Sequence, residues 1–181
     1  MPASTVPEPL VRELRTRVLR IQKEQRLPSV TAAVARNGEL LWSEAVGVAN
    51  QDAGAAATPD TQYRVGSITK TFTAVSVMQL RDAGELALDD TLGDHIDEAA
   101  HPGPTIRRIL SHHSGLQREP AGELWETMQP PTVDELLDRL AEAEQVLQPG
   151  RHFHYSNLGF ALLGEVVARR SGRTYVEHVQ E

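Results

Sequence analysis

The stretch Arg64-Val65-Gly66-Ser67-Ile68-Thr69-Lys70 places a hydroxyl and an amine three residues apart where a helical pattern begins. Residues i and i+3 share a helix face, so the Lys70 amine can reach the Ser67 hydroxyl. A serine hydroxyl is a weak nucleophile until an adjacent base takes its proton. The helix dipole and burial both disfavour an ammonium at a helix start and move the amine towards service as a base. Free N–H groups there would also steady an oxyanion. As a plain helix start, Ser67 would serve as an N-cap. A capping box, however, asks for Glu or Gln where Lys70 stands. An exposed cation in a first turn opposes the dipole by roughly 0.3–1 kcal/mol. Stability does not ask for Lys70, whereas nucleophile activation does.

A second segment, Pro149-Gly150-Arg151-His152-Phe153-His154-Tyr155-Ser156-Asn157, leads from a Pro-Gly turn into a helix. On its own, Ser156 or Asn157 reads as a simple N-cap. The chemical reading is that Tyr155 and Asn157, two apart on an extended loop, both point into a cleft. A phenol beside an ammonium is more acidic and relays protons. An asparagine amide can hold both a lysine and a substrate amide.

The elements that position these residues follow from periodicity. Leu10, Leu14, Val18 and Ile21 form one apolar stripe, which predicts an amphipathic helix over Glu8 to Arg26, ended before Pro28. Ser29 to Ala49 alternates about Asn37-Gly38, a pair suited to a type I′ turn, and reads as a β-hairpin. Helices are expected over Ser67 to Asp82, Thr105 to Ser111, Val133 to Ala143 and Leu158 to Arg170, with the Ala/Gly-rich stretch Asp52 to Ala57 as a loop. Thr174-Tyr175-Val176-Glu177 looks like a capping box opening a further helix. That makes two strands and at least five helices. A lone hairpin is marginal without sheet neighbours, so the chain reads as the N-terminal part of something larger.

Together these residues resemble the serine β-lactamase and penicillin-binding-protein superfamily, in its class C β-lactamase, D-aminopeptidase and family VIII esterase branch. Ser67-Ile68-Thr69-Lys70 resembles the nucleophile motif, and Leu86 to Asp94 the loop after its helix. Ile109-Leu110-Ser111-His112-His113-Ser114-Gly115-Leu116 is similar to L-T-H-T-S-G-L, and Tyr155-Ser156-Asn157 to the Y-x-N motif. The resemblance implies an α+β, β-lactamase/transpeptidase-like fold. Residues 1–60 would be the N-terminal helix and hairpin of an antiparallel sheet, and residues 61–181 a mainly helical domain, with the C-terminal strands of the sheet missing. It implies that Ser67 is the acylated nucleophile and that its N–H is half of an oxyanion hole. Lys70 would be its base or activating partner. Tyr155 would move protons to the leaving group and activate water, and Asn157 would orient substrate and Lys70. Whether Lys70 or Tyr155 is the base stays open, because coupled groups share their titration. The superfamily's third motif, K-T-G or H-x-G, does not follow Asn157; His101-Pro102-Gly103 and His113-Ser114-Gly115 precede Tyr155 and read as coincidences.

Other polar groups read as ordinary. His112-His113 and His152-x-His154 lack the spacing of a metal site, so no metal or cofactor is expected, and His112 is expected to hydrogen-bond within its own turn. Glu119 and Glu123 read as a solvated loop, Trp42 as core, and Trp125 as surface packing or a cleft wall. With 181 residues, 40% hydrophobic, and a net charge of −7, the chain suits a globular protein that binds neither nucleic acid nor membrane. It has no cysteine, which excludes thiol chemistry and disulfides. The N-terminus shows no export signal, so a cytoplasmic location is expected unless the chain was trimmed.

The expected function is a serine hydrolase forming an acyl-enzyme with a small-molecule or peptide substrate: an ester, a D-amino-acid amide or a β-lactam, with an esterase or peptidase role favoured. The alternative is a non-catalytic half-protein that binds a partner chain, or a missing C-terminal part, through its open sheet edge.

Overall fold

In the computed structural model, which describes residues 6–122 and 124–181 (Leu124 and Trp125 by backbone alone), α1 spans Glu8–Glu24. It stops two residues short of the predicted end because Arg26 takes a left-handed conformation (φ 52°) and the Leu27 N–H turns back to the Gln22 carbonyl at 2.9 Å. The buried stripe is centred on Val18, while Leu10 and Ile21 face solvent. Residue contacts divide the chain into two units, Met1–Arg64 and Val65–Glu181.

In the first unit, α1 packs on a hairpin of β1 (Ser29–Arg36) and β2 (Glu39–Asn50). Asn37 (φ 52°) and Gly38 (φ 80°) both take the positive φ that the type I′ turn requires. Val30 faces Val46 and Val34 faces Trp42 across the ladder. Trp42 is only partly buried, so it is not the core residue expected of it. The expectation of two strands and a loop over 52–57 is corrected by β3 (Ala55–Ala56), which pairs with Val48 and Asn50 of β2. Two alanines carry no alternation to read. The Asn50 side chain sets their return by accepting the Ala53 N–H at 2.9 Å. The sheet order is β1-β2-β3, and among the described residues β1 has no strand on its other side.

The second unit is built around α6 (Asn157–Ser171), whose Leu158, Leu162, Leu163, Val166 and Val167 are almost fully buried. Packed on it are α2 (Thr69–Asp82), α3 (Ile106–Leu110) and α7 (Tyr175–Gln180). Helix α2 buries Thr73, Ser76, Val77 and Leu80, spaced i, i+3, i+4 and i+7, while Ile68, Phe72 and Val75 on the opposite stripe face solvent. A short α4 (Leu124–Thr127) precedes α5 (Val133–Asp138). The helix expected over Val133 to Ala143 breaks at Arg139, because the chain turns there to seat Leu140, 2% exposed, in the core. Thr105, Thr132 and Thr174 cap their helices, the last two as capping boxes with Glu135 and Glu177. Arg107 grips Asp89 at 2.9 and 3.1 Å, tying the 86–94 loop to α3. No helix among the described residues is long and apolar enough to cross a membrane.

Candidate active site

Gly66 (φ 54°) opens a single 3-10 turn, Gly66–Ile68, that runs into α2. Ser67 therefore sits one turn ahead of α2 and is not its N-cap, a place taken by Ile68 with no side-chain bond. This frees the exposed Ser67 hydroxyl for other partners. The Tyr155 hydroxyl donates to Ser67 Oγ at 2.8 Å, across 88 residues of sequence. Lys70 Nζ lies 3.5 Å from the same oxygen and donates to Asn157 Oδ1 at 2.6 Å. It also stands 4.8 Å from the centre of the Tyr155 ring. The four residues singled out from sequence thus converge at the start of α2.

The approach of Tyr155 and Asn157 depends on Ser156 between them. Ser156 is the N-cap of α6, accepting the Gly159 N–H at 2.8 Å and donating to the Gln117 carbonyl at 2.7 Å. The capping and chemical readings of this segment fall on adjacent residues. Asn157 is the first residue of the helix rather than part of an extended loop. Its N–H and that of Leu158 both end on the Arg118 carbonyl, at 2.7 and 3.2 Å.

Hydrogen bonds with Ser67 and then Lys70, reinforced by the charges of Lys70 and Arg118, hold the Tyr155 phenol below its ordinary pKa. The Arg118 guanidinium stands 5.2 Å from the ring centre. A lowered phenol pKa eases transfer of its proton at neutral pH.

Two residues here were read from sequence as ordinary. Glu119 is no solvated loop residue: both its carboxylate oxygens accept from Asn157 Nδ2, at 2.8 and 3.0 Å. This turns the amide so that its oxygen faces Lys70. His112 does not bond within its turn. Its Nδ1 accepts the Ser156 N–H at 3.2 Å, and its ring stacks on Tyr155 with centroids 4.3 Å apart. Both bonds span too much sequence for a local pattern to carry. Glu123 and the side chain of Trp125 lie outside the described residues. Of the two H-x-G strings, His101 bonds the Ala143 carbonyl at 2.9 Å and His113 the Ser111 carbonyl at 2.7 Å, neither at Ser67. Among the described residues no cluster of three His, Asp or Glu is arranged to hold a metal ion.

The accepting role of His112 requires a neutral ring, and burial first, then Lys70 and His113, keep its pKa below the ordinary 6.5. His95 is alike: burial and Arg170 lower it, partly offset by Asp90 and Asp94, and its Nδ1 accepts from Arg170 Nε at 2.6 Å. On acidification through about 6.5, the unfolded chain therefore binds protons that the folded chain refuses. Stability should be level above that pH and fall below it, down to the lowered folded pKa values. The depressed carboxylates of Asp89, Asp94 and Glu98 act only at lower pH, near and below about 4. Urea midpoints between about pH 7 and pH 5 test this sign. A midpoint that does not fall over that range would refute it.

A hydroxyl thus lies between a phenol and a lysine at a helix start, with an asparagine behind the lysine, so two proton-carrying groups are within reach of Ser67 Oγ. The chain belongs to the beta-lactamase family, which it matches over residues 10–181. It is 36% identical over 169 residues to Esterase EstB of Burkholderia gladioli, covering 83% of this chain and 43% of that one. To Beta-lactamase-like protein 2 of Dictyostelium discoideum it is 31% identical over 174 residues, covering 88% of this chain and 31% of that protein. The crystal structure of a penicillin binding protein from Bacillus halodurans superposes with a TM-score of 0.74 at 29% identity, over 90% of this chain and 51% of that one. The chain thus spans between 31% and 43% of the length of these two curated relatives.

Proposed function

We propose that this chain carries the nucleophile, base and proton relay of a serine hydrolase working through an acyl-enzyme, with Ser67 as nucleophile. The observation that supports it most is the position of Ser67 Oγ, 2.8 Å from the Tyr155 hydroxyl and 3.5 Å from Lys70 Nζ. Ser67 Oγ attacks a substrate carbonyl, and its proton passes to Lys70 or Tyr155, whichever is unprotonated. The carbonyl electron pair moves onto oxygen, beside the Ser67 N–H, an orphan donor of the opening helical turn. Collapse of this adduct breaks the bond to the leaving group, which takes the proton. Water then attacks the acyl-enzyme by the same relay and releases the acid. An ester is the favoured substrate, on the likeness to EstB; D-amino-acid amides and β-lactams share the chemistry. Incubation with a fluorophosphonate or a penicillin, followed by intact mass, tests the proposal. A stoichiometric adduct is expected, absent in Ser67→Ala.

The exposed stripe Ile68, Phe72, Val75 and the open side of β1 favour a second reading, a half that assembles with another chain or segment. Under it, the chain alone forms no adduct and gains one when its partner is supplied.

A further inference from the structure

We infer that His112 is a positioning residue that sets the Tyr155 phenol against Ser67 Oγ, and that it does so only while its ring is neutral. The inference rests on Ser67 being the nucleophile and Tyr155 part of its proton relay. Tyr155 lies between two backbone N–H groups, and His112 holds both. The His112 carbonyl accepts the His154 N–H at 2.7 Å, and its Nδ1 accepts the Ser156 N–H at 3.2 Å. Between these two bonds its ring lies on the Tyr155 ring, with centroids 4.3 Å apart and planes 28° from parallel. Phe160 of α6 stands 4.9 Å from the same imidazole, and Phe153 meets it edge-on at 5.6 Å. His112 itself sits in the turn that leaves α3, so the clamp is anchored outside the segment it holds. The phenol held in this way ends 2.8 Å from Ser67 Oγ.

The Ser156 N–H can only donate, so Nδ1 is the bare nitrogen of the ring and Nε2 carries its proton. A second proton would turn Nδ1 into a donor, and two N–H groups would then face each other. The groups around the ring oppose that state. Lys70 of α2 and His113, next in the turn, both disfavour a second cation. The Tyr155 face already meets Lys70 Nζ, 4.8 Å from its centre. Helix α6 and its cap present Phe160 and Ser156, which carry no charge to offset one. Protonation forced by acid therefore releases the Ser156 N–H, and the phenol loses one side of its clamp. A displacement of about 1 Å near the reacting atoms can cost about a hundredfold in rate.

The test is the second-order rate of fluorophosphonate labelling, read by intact mass between about pH 5 and pH 8, with a melting curve at each pH. Two variants separate the roles of the ring. His112→Asn carries an acceptor on the same Cγ, tolerates positive φ, and does not titrate. His112→Phe keeps a ring against Tyr155 and lacks the acceptor. At about pH 7.5, His112→Phe should label about tenfold more slowly or worse than wild type, and His112→Asn should recover part of that loss. The rate of His112→Asn relative to wild type should then rise several-fold as the pH is lowered, because only the wild-type clamp can be protonated. Using this ratio cancels the titration of Lys70 and Tyr155, common to both proteins. The losses from His112→Phe and Tyr155→Phe should not add: the double variant should label within about twofold of Tyr155→Phe alone. A ratio that stays level with pH overturns the inference, and it does so even where His112→Phe proves unfolded. So does additive loss in the double variant, or labelling of folded His112→Phe at the wild-type rate. Each of these leaves the serine hydrolase intact and removes only the role of His112. No labelling of the wild type at any pH removes the nucleophile assignment, and this inference with it.

Discussion

Lys70→Ala should slow acylation of Ser67 by about two orders of magnitude or more, the scale expected when a positioned proton acceptor is lost. The substitution removes the amine 3.5 Å from Ser67 Oγ and strips Asn157 Oδ1 of its donor at 2.6 Å. It also removes one of the groups that hold the Tyr155 phenol below its ordinary pKa, so the second candidate base becomes a weaker acid at the same time. The fold should tolerate the change, since a cation in the first turn of α2 opposes the helix dipole. The measurement is the second-order rate of fluorophosphonate labelling, with a melting curve to show that the variant is folded. Labelling at near wild-type rate would exclude Lys70 as activator. Tyr155→Phe is the companion experiment. Comparable losses in both variants mean that both side chains serve the proton transfer, and a loss in one alone assigns it to that residue.

Gly115→Ala should destabilise the protein by about 3 kcal/mol or more, adding backbone strain to overpacking. Gly115 has φ 75°, and an added Cβ would lie 1.9 Å from the Leu147 carbonyl oxygen, inside any permitted contact. Neither chain can retreat. The Leu147 N–H bonds the Gly115 carbonyl at 3.2 Å, and Leu116 next door is buried in the core. Gly38→Ala is the control. Its φ of 80° carries similar strain with nothing within 4 Å of the added carbon, so a loss of only about 1–2 kcal/mol is expected. Equal urea midpoints for the two variants would show that close approach to Leu147 is not what constrains position 115.

What could be read from the sequence was what is local or spaced by a helix turn. Ser67 and Lys70 share a face because they are three apart, Asn37-Gly38 turns a hairpin because both tolerate positive φ, and Thr174 with Glu177 opens α7. Tyr155 and Asn157 stood out as a polar pair before a helix, but only the resemblance joined them to Ser67, since the bond from Tyr155 to Ser67 spans 88 residues. The structure's corrections have the same root. Glu119 looked like loop because nothing within a few residues of it predicts Asn157 as its partner. His112 looked self-contained because Ser156 is 44 residues away. The single helix expected over Val133 to Ala143 failed where the demand of the core for Leu140 outweighed continuous helical pattern.

The Arg118 carbonyl, which receives the N–H groups of both Asn157 and Leu158, welds a loop to a helix start. The carboxylate at 119 and the amide at 157 are thereby fastened twice, once side chain to side chain and once backbone to backbone. Lengthening or shortening the chain between Gly115 and Glu119 would then register at the amine of Lys70, not as a harmless change in a surface turn.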